Sequence, residues 1–135
     1  MLRPLSKKGR AQAQALPDLL STWTAGRSVR LISSPWVRCI QTLEPLAASV
    51  GRTVAEDVLL GEGMGPKAVE ALSGWLGGRT TVLCTHGDVI EAILAAVARS
   101  GVSLGRDPQA AKGSAWVFDS SRRSIVAATY LPPPS

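Results

Sequence analysis

Histidine is nearly absent from this sequence. One imidazole, His86, stands among 135 residues, so a metal site built on several histidines is excluded. Cysteine is also scarce. Cys39 and Cys84 are too few for a disulfide framework and lack metal-ligand spacing. Both lie among apolar neighbours and read as small buried hydrophobes, with a reducing cytoplasm as the expected compartment. Phe118 and Tyr130 are the only residues of their types, which removes the aromatic platform that single-stranded nucleic acid needs. No apolar run approaches the roughly 20 residues of a membrane span, so no membrane partner is expected. The N-terminus has charge but no apolar stretch of signal-peptide type. Acidic residues are outnumbered, 10 against 15 Lys and Arg, for a net charge of +5. The excess is dispersed over Lys7, Lys8 and Arg10, then Arg27 and Arg30, then Arg122 and Arg123. Dispersed charge reads as solvated surface, so a nucleic-acid partner is not expected.

What is present builds a core. Hydrophobic residues make up 45% of the chain, enough to rule out disorder, and the length suits a single domain over residues 1–135. Ser6 can cap a helix, with good helix formers from Lys7 to Gln14. Pro17 should kink that helix, or end it and let a second begin at Asp18 to Trp23. Val29 to Ser33 suits a buried strand. Ser34-Pro35 reads as a helix start, Ser34 as N-cap and Pro35 at the first helical position. The helix should then run from Trp36 to about Ser49, burying Val37, Ile40, Leu43, Leu46 and Ala47 on one face, and Gly51 should close it. Thr53 to Leu60 reads as a ragged strand, followed by a glycine-rich loop over residues 61–65. Pro66 should open a helix that ends near Gly77-Gly78. Thr80 to Thr85 is the clearest strand, β-branched and uncharged. A helix is expected from Asp88 to Arg99. Ser114 to Ser120 and Ser124 to Tyr130 should pair as a hairpin, ahead of a proline-rich tail over residues 131–135. This alternation indicates a layered α/β domain that opens on a helix rather than on a strand.

Two strand-to-helix junctions carry the chemistry. Val82-Leu83-Cys84-Thr85-His86-Gly87 puts His86 at the carboxyl end of a strand, where open α/β sheets bind ligands. Gly87 is read as permitting a tight turn into a helix whose free N–H groups favour an anion. Ser33-Ser34-Pro35-Trp36-Val37-Arg38 repeats that arrangement. Arg38 falls in a first helical turn, where a cation opposes the helix dipole unless an anion binds beside it. A guanidinium pairs well with phosphate oxygens.

Three segments, Arg3 to Ala13, Ser33 to Thr42 and Thr85-His86-Gly87, resemble in order the histidine phosphatase superfamily, the phosphoglycerate-mutase-like proteins. Arg3-Pro4-Leu5-Ser6, Gln41 to Ala47 and Lys112 to Val117 look most like its small phosphohistidine-phosphatase branch. They are also similar to the phosphatase-like domain fused to Nudix hydrolases in actinobacteria. The resemblance implies a three-layer α/β/α sandwich with a mostly parallel sheet. It implies hydrolysis of a phosphoester or phosphohistidine through a phosphohistidine intermediate, with no metal or other cofactor. Arg38 would hold phosphate oxygens, and His86 would stabilise the transferring phosphoryl group. Glu62 would be the general acid, and Ser34, Gly87, Lys112 and Ser114 would line the pocket. A phosphorylated small molecule or a phosphohistidine protein would be the partner in catalysis, with a Nudix-type protein as a further partner. The family's nucleophile lies in an Arg-His motif on a first strand that precedes the segment matching Arg3. This sequence has no such motif. The expectation is therefore a domain lacking its first strand, and the second reading is an inactive module that binds a phosphate-bearing ligand or docks to a partner.

Overall fold

The computed structural model describes residues 3–134. Met1-Leu2, ahead of the Arg3 to Ala13 segment, and Ser135 of the proline-rich tail lie outside the described residues. Helix α1 spans Lys7–Leu19 and α2 spans Ser21–Thr24. Strand β1 (Val29–Ser33) leads into α3 (Val37–Val50). Strand β2 (Val54–Glu56) is followed by a short 3-10 helix (Val58–Leu60) and α4 (Gly65–Trp75). Strand β3 (Thr80–Cys84) leads into α5 (Gly87–Arg99). Strands β4 (Ala115–Ser121) and β5 (Ser124–Leu131) complete the order.

Ser6 caps α1 as its sequence suggests, its Oγ accepting from the Gly9 N–H at 3.0 Å. Pro17 neither ends nor visibly divides the helix, which continues to Leu19. The break comes at Leu20, whose N–H still bonds the Leu16 carbonyl at 3.0 Å. Leu16 and Leu20 pack in one apolar cluster with Leu43 and Leu46, so tertiary burial holds the turn that proline weakens. Segment 53–60 yields only three strand residues. Asp57 then caps the 3-10 turn through the Leu59 N–H at 2.9 Å, which removes Val58 to Leu60 from the sheet.

Strands β2, β1 and β3 form a parallel sheet in that order, with Leu31 opposite both Val54 and Val82. Alternation along β1 and β3 divides the core. Val29, Leu31 and Val82 face a cluster with Leu20, Leu43 and Leu46 from the α1–α3 side. Ile32 and Leu83 face a second cluster with Leu60, Ala68, Val89, Ile93 and Val97 from the α4–α5 side. This is the three-layer α/β/α arrangement with a parallel sheet. Strands β4 and β5 pair with each other as a separate antiparallel hairpin. Phe118 and Ile125 join the second cluster, and Ala115 and Leu131 the first, so the hairpin extends both layers. Among the described residues, β3 pairs only with β1 and β4 only with β5.

The register of β1 and β3 sets the site. Ser33 lies opposite Cys84, so both strands end at one level. The Ser34 N–H donates to the Cys84 carbonyl at 2.9 Å, and the two chains leave the sheet side by side.

Candidate anion-binding site

Helix α3 begins at Val37, with Trp36 as N-cap and no side-chain cap. Ser34 was expected to provide that cap, and its oxygen is used elsewhere. Its Oγ lies 2.8 Å from His86 Nε2 and accepts from the Trp36 N–H at 3.3 Å. Ser34 is fully buried. Its oxygen is engaged by the imidazole and the Trp36 N–H, so it does not cap α3 as expected. The buried stripe of α3 starts at Cys39 and continues through Leu43, Leu46 and Ala47, while Val37 and Ile40 stay half-buried. Cys39 points inward because its sulfur lies 3.8 Å from both the Thr85 carbonyl and His86 Nε2.

His86 is the N-cap residue of α5 and makes no side-chain cap bond. The first N–H groups of α3 and α5 thus lack the side-chain acceptor that Ser6 gives α1. Gly87 is the first helical residue, and a Cβ there would meet nothing within 4 Å. Its part is not the tight turn expected. A glycine there leaves the space before the α5 terminus clear.

His86 is 7% exposed and meets a partner on each edge. On the buried edge are Ser34 and Cys39. On the open edge, Arg38 Nη2 lies 3.2 Å from Nδ1, and Glu62 Oε1 lies 3.4 Å from it. Trp36 packs edge-on against the ring, with centroids 4.9 Å apart. Arg38 also donates to Glu62 Oε1 at 2.5 Å. Burial first, and then the Arg38 charge, hold the His86 pKa below its ordinary value, against the opposing pull of Glu62 and Asp88. The ring is therefore neutral near pH 7. Arginine can only donate and a carboxylate can only accept: with Arg38 donating to Nδ1, Nε2–H donates to Ser34, and with Nδ1–H facing Glu62, Ser34 donates to Nε2. The Ser34 hydroxyl can reverse. When an anion accepts from Nδ1–H, Ser34 donates to Nε2 instead. One buried hydroxyl thus lets the imidazole present either a lone pair or a proton to the open edge.

The loop carrying Glu62 is fixed at both ends. Thr85 Oγ1 donates to the Leu60 carbonyl at 2.5 Å, and the Gly63 N–H donates to Asp88 Oδ2 at 2.7 Å. Gly61 passes so close over Trp36 that a Cβ would lie 2.8 Å from the indole. These contacts hold the Glu62 carboxylate against both Arg38 and His86. The side chains of Arg38 and Glu62 are 33% and 52% exposed, so their ion pair contributes at most about 1 kcal/mol. A single carboxylate oxygen touches both cationic and imidazole groups, as one oxygen of a tetrahedral oxyanion would.

The structure brings Arg38, Glu62, Ser34 and His86 together, with Gly87 beside them. Lys112 and Ser114 share no hydrogen bond or ion pair with that cluster among the described residues. The Ser114 hydroxyl donates to the Ala111 carbonyl at 2.5 Å, and no hydrogen bond among the described residues joins either residue to His86. Their segment borders a separate cavity of about 490 Å³, lined by Leu104, Asp107, Ala111, Trp116 and Tyr130. Trp36, Cys39, Thr85 and Asp88 were not anticipated as parts of the site. The signal for Asp88 was its place in the first turn after His86, and for Trp36 its place between Pro35 and Arg38. Among the described residues, no helix is long and apolar enough to cross a membrane, and no cluster of three or more His, Cys, Asp or Glu could hold a metal.

An 8-oxo-(d)GTP phosphatase of Mycolicibacterium smegmatis is 35% identical over 137 residues, covering 98% of this chain and 42% of that protein. The chain thus spans less than half the length of that curated relative. A crystal structure of phosphoglycerate mutase from Plasmodium falciparum superposes with a TM-score of 0.60 at 23% identity, over 73% of this chain and 66% of that one. Mycobacterial hydrolase 1 superposes with a TM-score of 0.52 at 20% identity, over 71% and 69%. These two show the shared fold. Residues 3–70, which include Ser34, Arg38 and Glu62, match the family model for the histidine phosphatase superfamily, branch 1. From the β1–α3 junction to the Glu62 loop, the chain carries that family's pattern, and it belongs to the histidine phosphatase superfamily.

Proposed function

We propose that this chain binds a phosphoryl group between Arg38 and His86 and serves the hydrolysis of a phosphoester or phosphohistidine. The observation that carries the reading is the Glu62 carboxylate, whose oxygen contacts both Arg38 Nη2 and His86 Nδ1. A phosphoryl oxygen entering there displaces Glu62 and accepts from the same two groups. Arg38 supplies a fixed charge, and His86 supplies a proton at Nδ1 once Ser34 donates to Nε2. Both hydrogen bonds strengthen as charge builds on the equatorial oxygens in the transition state. Glu62, once displaced from Arg38 and protonated, would act as the general acid that gives its proton to the leaving oxygen as the P–O bond breaks. The nucleophile in this scheme is a second imidazole, which forms the phosphohistidine that water then hydrolyses. The related 8-oxo-(d)GTP phosphatase makes nucleotides the first substrates to test.

Turnover of a generic phosphoester, and then of nucleotides, tests the reading. It should be measured for this chain and for a version extended upstream with the strand that bears an Arg-His motif in the family. Activity that His86→Ala abolishes supports it. Activity that survives in His86→Ala overturns the role of His86.

One observation favours a second reading. The sequence holds a single histidine, whereas the chemistry above uses two. On that reading the chain binds phosphate-bearing ligands, or docks to a Nudix-type partner, without turnover. Vanadate binding in the absence of hydrolysis supports it, and a folded sample that binds no oxyanion contradicts both readings.

A further inference from the structure

Charge that is dispersed along the sequence is gathered by the fold. The amino ends of the parallel strands form the pole of the sheet opposite the anion site, roughly 13 Å away along β1 and β3. Six arginines meet there. Arg27 and Arg30 flank the start of β1, and Arg79 stands directly before β3, whose Thr80 pairs with Val29. Arg52 Nη2 donates to Ser28 Oγ at 3.3 Å, which brings the residue ahead of β2 to the same level. Arg30 donates to Thr81 Oγ1 and to the Trp75 carbonyl, both at 3.2 Å. The turn of the β4–β5 hairpin lies at this end too. Arg123 Nη1 donates to the Ser73 carbonyl at 3.2 Å, and its Cγ would lie 3.5 Å from a Cβ at Gly77. Arg122 is its neighbour in that turn.

Helix termination explains part of this cluster. Arg30 and Arg123 satisfy carbonyls in the last turn of α4, where cations are favoured. It does not explain the rest. Arg27, Arg79 and Arg122 are exposed and make no side-chain hydrogen bond among the described residues. None of the six lies within ion-pair distance of a carboxylate among the described residues, where both ion pairs belong to Glu62. Asp119, the acid closest to them in sequence, is exposed and forms no ion pair among the described residues. The turn adds a second observation. Arg122 and Arg123 have φ of 52° and 63°. Two adjacent residues with positive φ in a hairpin turn favour Asn-Gly, and a bulky side chain at either position strains the backbone. The chain thus holds two charges where local backbone energetics disfavour them. Strain of this kind collects at binding sites.

We propose that this arginine pole is a docking surface for an acidic polypeptide segment rich in aspartate and glutamate. The side chains select that partner. All six cations are arginines, whose planar fork pairs with a carboxylate through two parallel hydrogen bonds. A nucleic-acid strand needs aromatic rings for its bases, and Trp75, the ring at this pole, is buried. A lipid surface needs apolar anchors. Among the described residues, the strongly exposed large hydrophobics are Val58 and Val126, and Val58 follows the opposite end of β2. What the pole offers is uncompensated positive charge, which a run of carboxylates complements and which steers their approach. The surface shares no residue with the anion site, so the inference does not rest on the phosphatase reading.

Fluorescence anisotropy of a labelled peptide of alternating glutamate and aspartate, titrated with the full chain, tests the proposal. The peptide should bind saturably and more weakly as salt rises. Arg122→Asn combined with Arg123→Gly should weaken binding roughly fivefold to tenfold, the loss of two exposed ion pairs. Its melting temperature should hold or rise, because the new turn suits its backbone. Arg27→Ala combined with Arg79→Ala removes no side-chain hydrogen bond among the described residues and should weaken binding by a similar factor. Lys7→Ala combined with Lys8→Ala removes the same charge from the other end of the domain, where the Leu5 N–H bonds Gln41. It should change affinity by less than about twofold, because salt screens distant charges. Equal losses in all three variants would mean that net charge alone attracts the peptide, and would overturn the proposal. A chain that binds no peptide would overturn it too. Tighter binding of a single-stranded oligonucleotide of equal charge, or of phosphatidylserine vesicles, would overturn the choice of partner. No readout is turnover, so failure here leaves the phosphatase reading untouched, and failure of that reading leaves this test intact.

Discussion

Helix α1 and the helix pair α3 and α5 begin in opposite ways. The α1 terminus is closed by Ser6, whose oxygen takes the Gly9 N–H. The α3 and α5 termini have no side-chain cap, and their N-cap residues, Trp36 and His86, pack against each other. A capped terminus stabilises the chain. An uncapped pair at the carboxyl ends of two adjacent parallel strands leaves N–H groups for something outside the chain. The difference lies in Ser34. By sequence it is as good a cap as Ser6, but folding directs its oxygen to His86. Stability that a cap would give α3 is exchanged for control of an imidazole.

The largest break in this contrast should come from Arg38→Ala. Removing a charge-assisted donor should weaken phosphate or vanadate binding roughly tenfold to a hundredfold, since such bonds are worth about 1.5–3 kcal/mol. Calorimetric titration would detect it, and thermal stability should hardly change because Arg38 is one-third exposed. Ser34→Ala attacks the other side of the contrast. It leaves His86 Nε2 without its partner in a buried place and should cost about 1–3 kcal/mol in a urea melt. It should also weaken anion binding, because the ring loses its hold. Ser6→Ala should cost about 1 kcal/mol of stability and leave anion affinity unchanged. If Ser6→Ala weakened binding as much as Ser34→Ala, the contrast between the termini would fail.

Protonation sharpens the same comparison. An unfolded histidine takes a proton near pH 6.5, and folded His86 takes one only at lower pH. Its contribution to stability is therefore complete above about pH 6.5 and is lost as pH falls from there through the lower folded value. Urea melts should show that His86→Gln loses less stability than the parent chain across this range. Equal losses would mean that the buried ring is not held neutral. The smallest effect belongs to Glu62→Gln. Without its charge, the side chain competes less for Arg38, and phosphate affinity should rise a few-fold, consistent with an exposed ion pair worth at most about 1 kcal/mol. A fall in affinity would remove Glu62 from its place as a displaceable occupant.

Much of this was legible in residue order. The two strand-to-helix junctions, the strand before His86 and the hairpin all lie where local propensity and turn chemistry point. What was not legible arose from tertiary competition. Ser34 carries the chemical signature of an N-cap, and only the adjacency of β1 and β3, fixed by the pairing of Ser33 with Cys84, brings His86 close enough to claim its oxygen. Pro17 was a local signal overridden by the burial of Leu16 and Leu20 on α3. Glu62 was singled out from its loop, but nothing in its glycine-rich surroundings announced that Thr85 and Asp88 would anchor that loop. Lys112 and Ser114 were grouped with the site by family resemblance alone, and nothing in their local sequence ties them to His86.

The most direct test of the account uses the single histidine as its own reporter. The imidazole proton resonances of His86, alone in their class in this sequence, can be followed by nuclear magnetic resonance as inorganic phosphate or vanadate is added near pH 7. The account predicts a saturable shift in the parent chain that is lost in Arg38→Ala. Resonances that stay in place while the anion reaches saturating concentration, or a shift that survives in Arg38→Ala, would contradict the claim that Arg38 and His86 form one anion site.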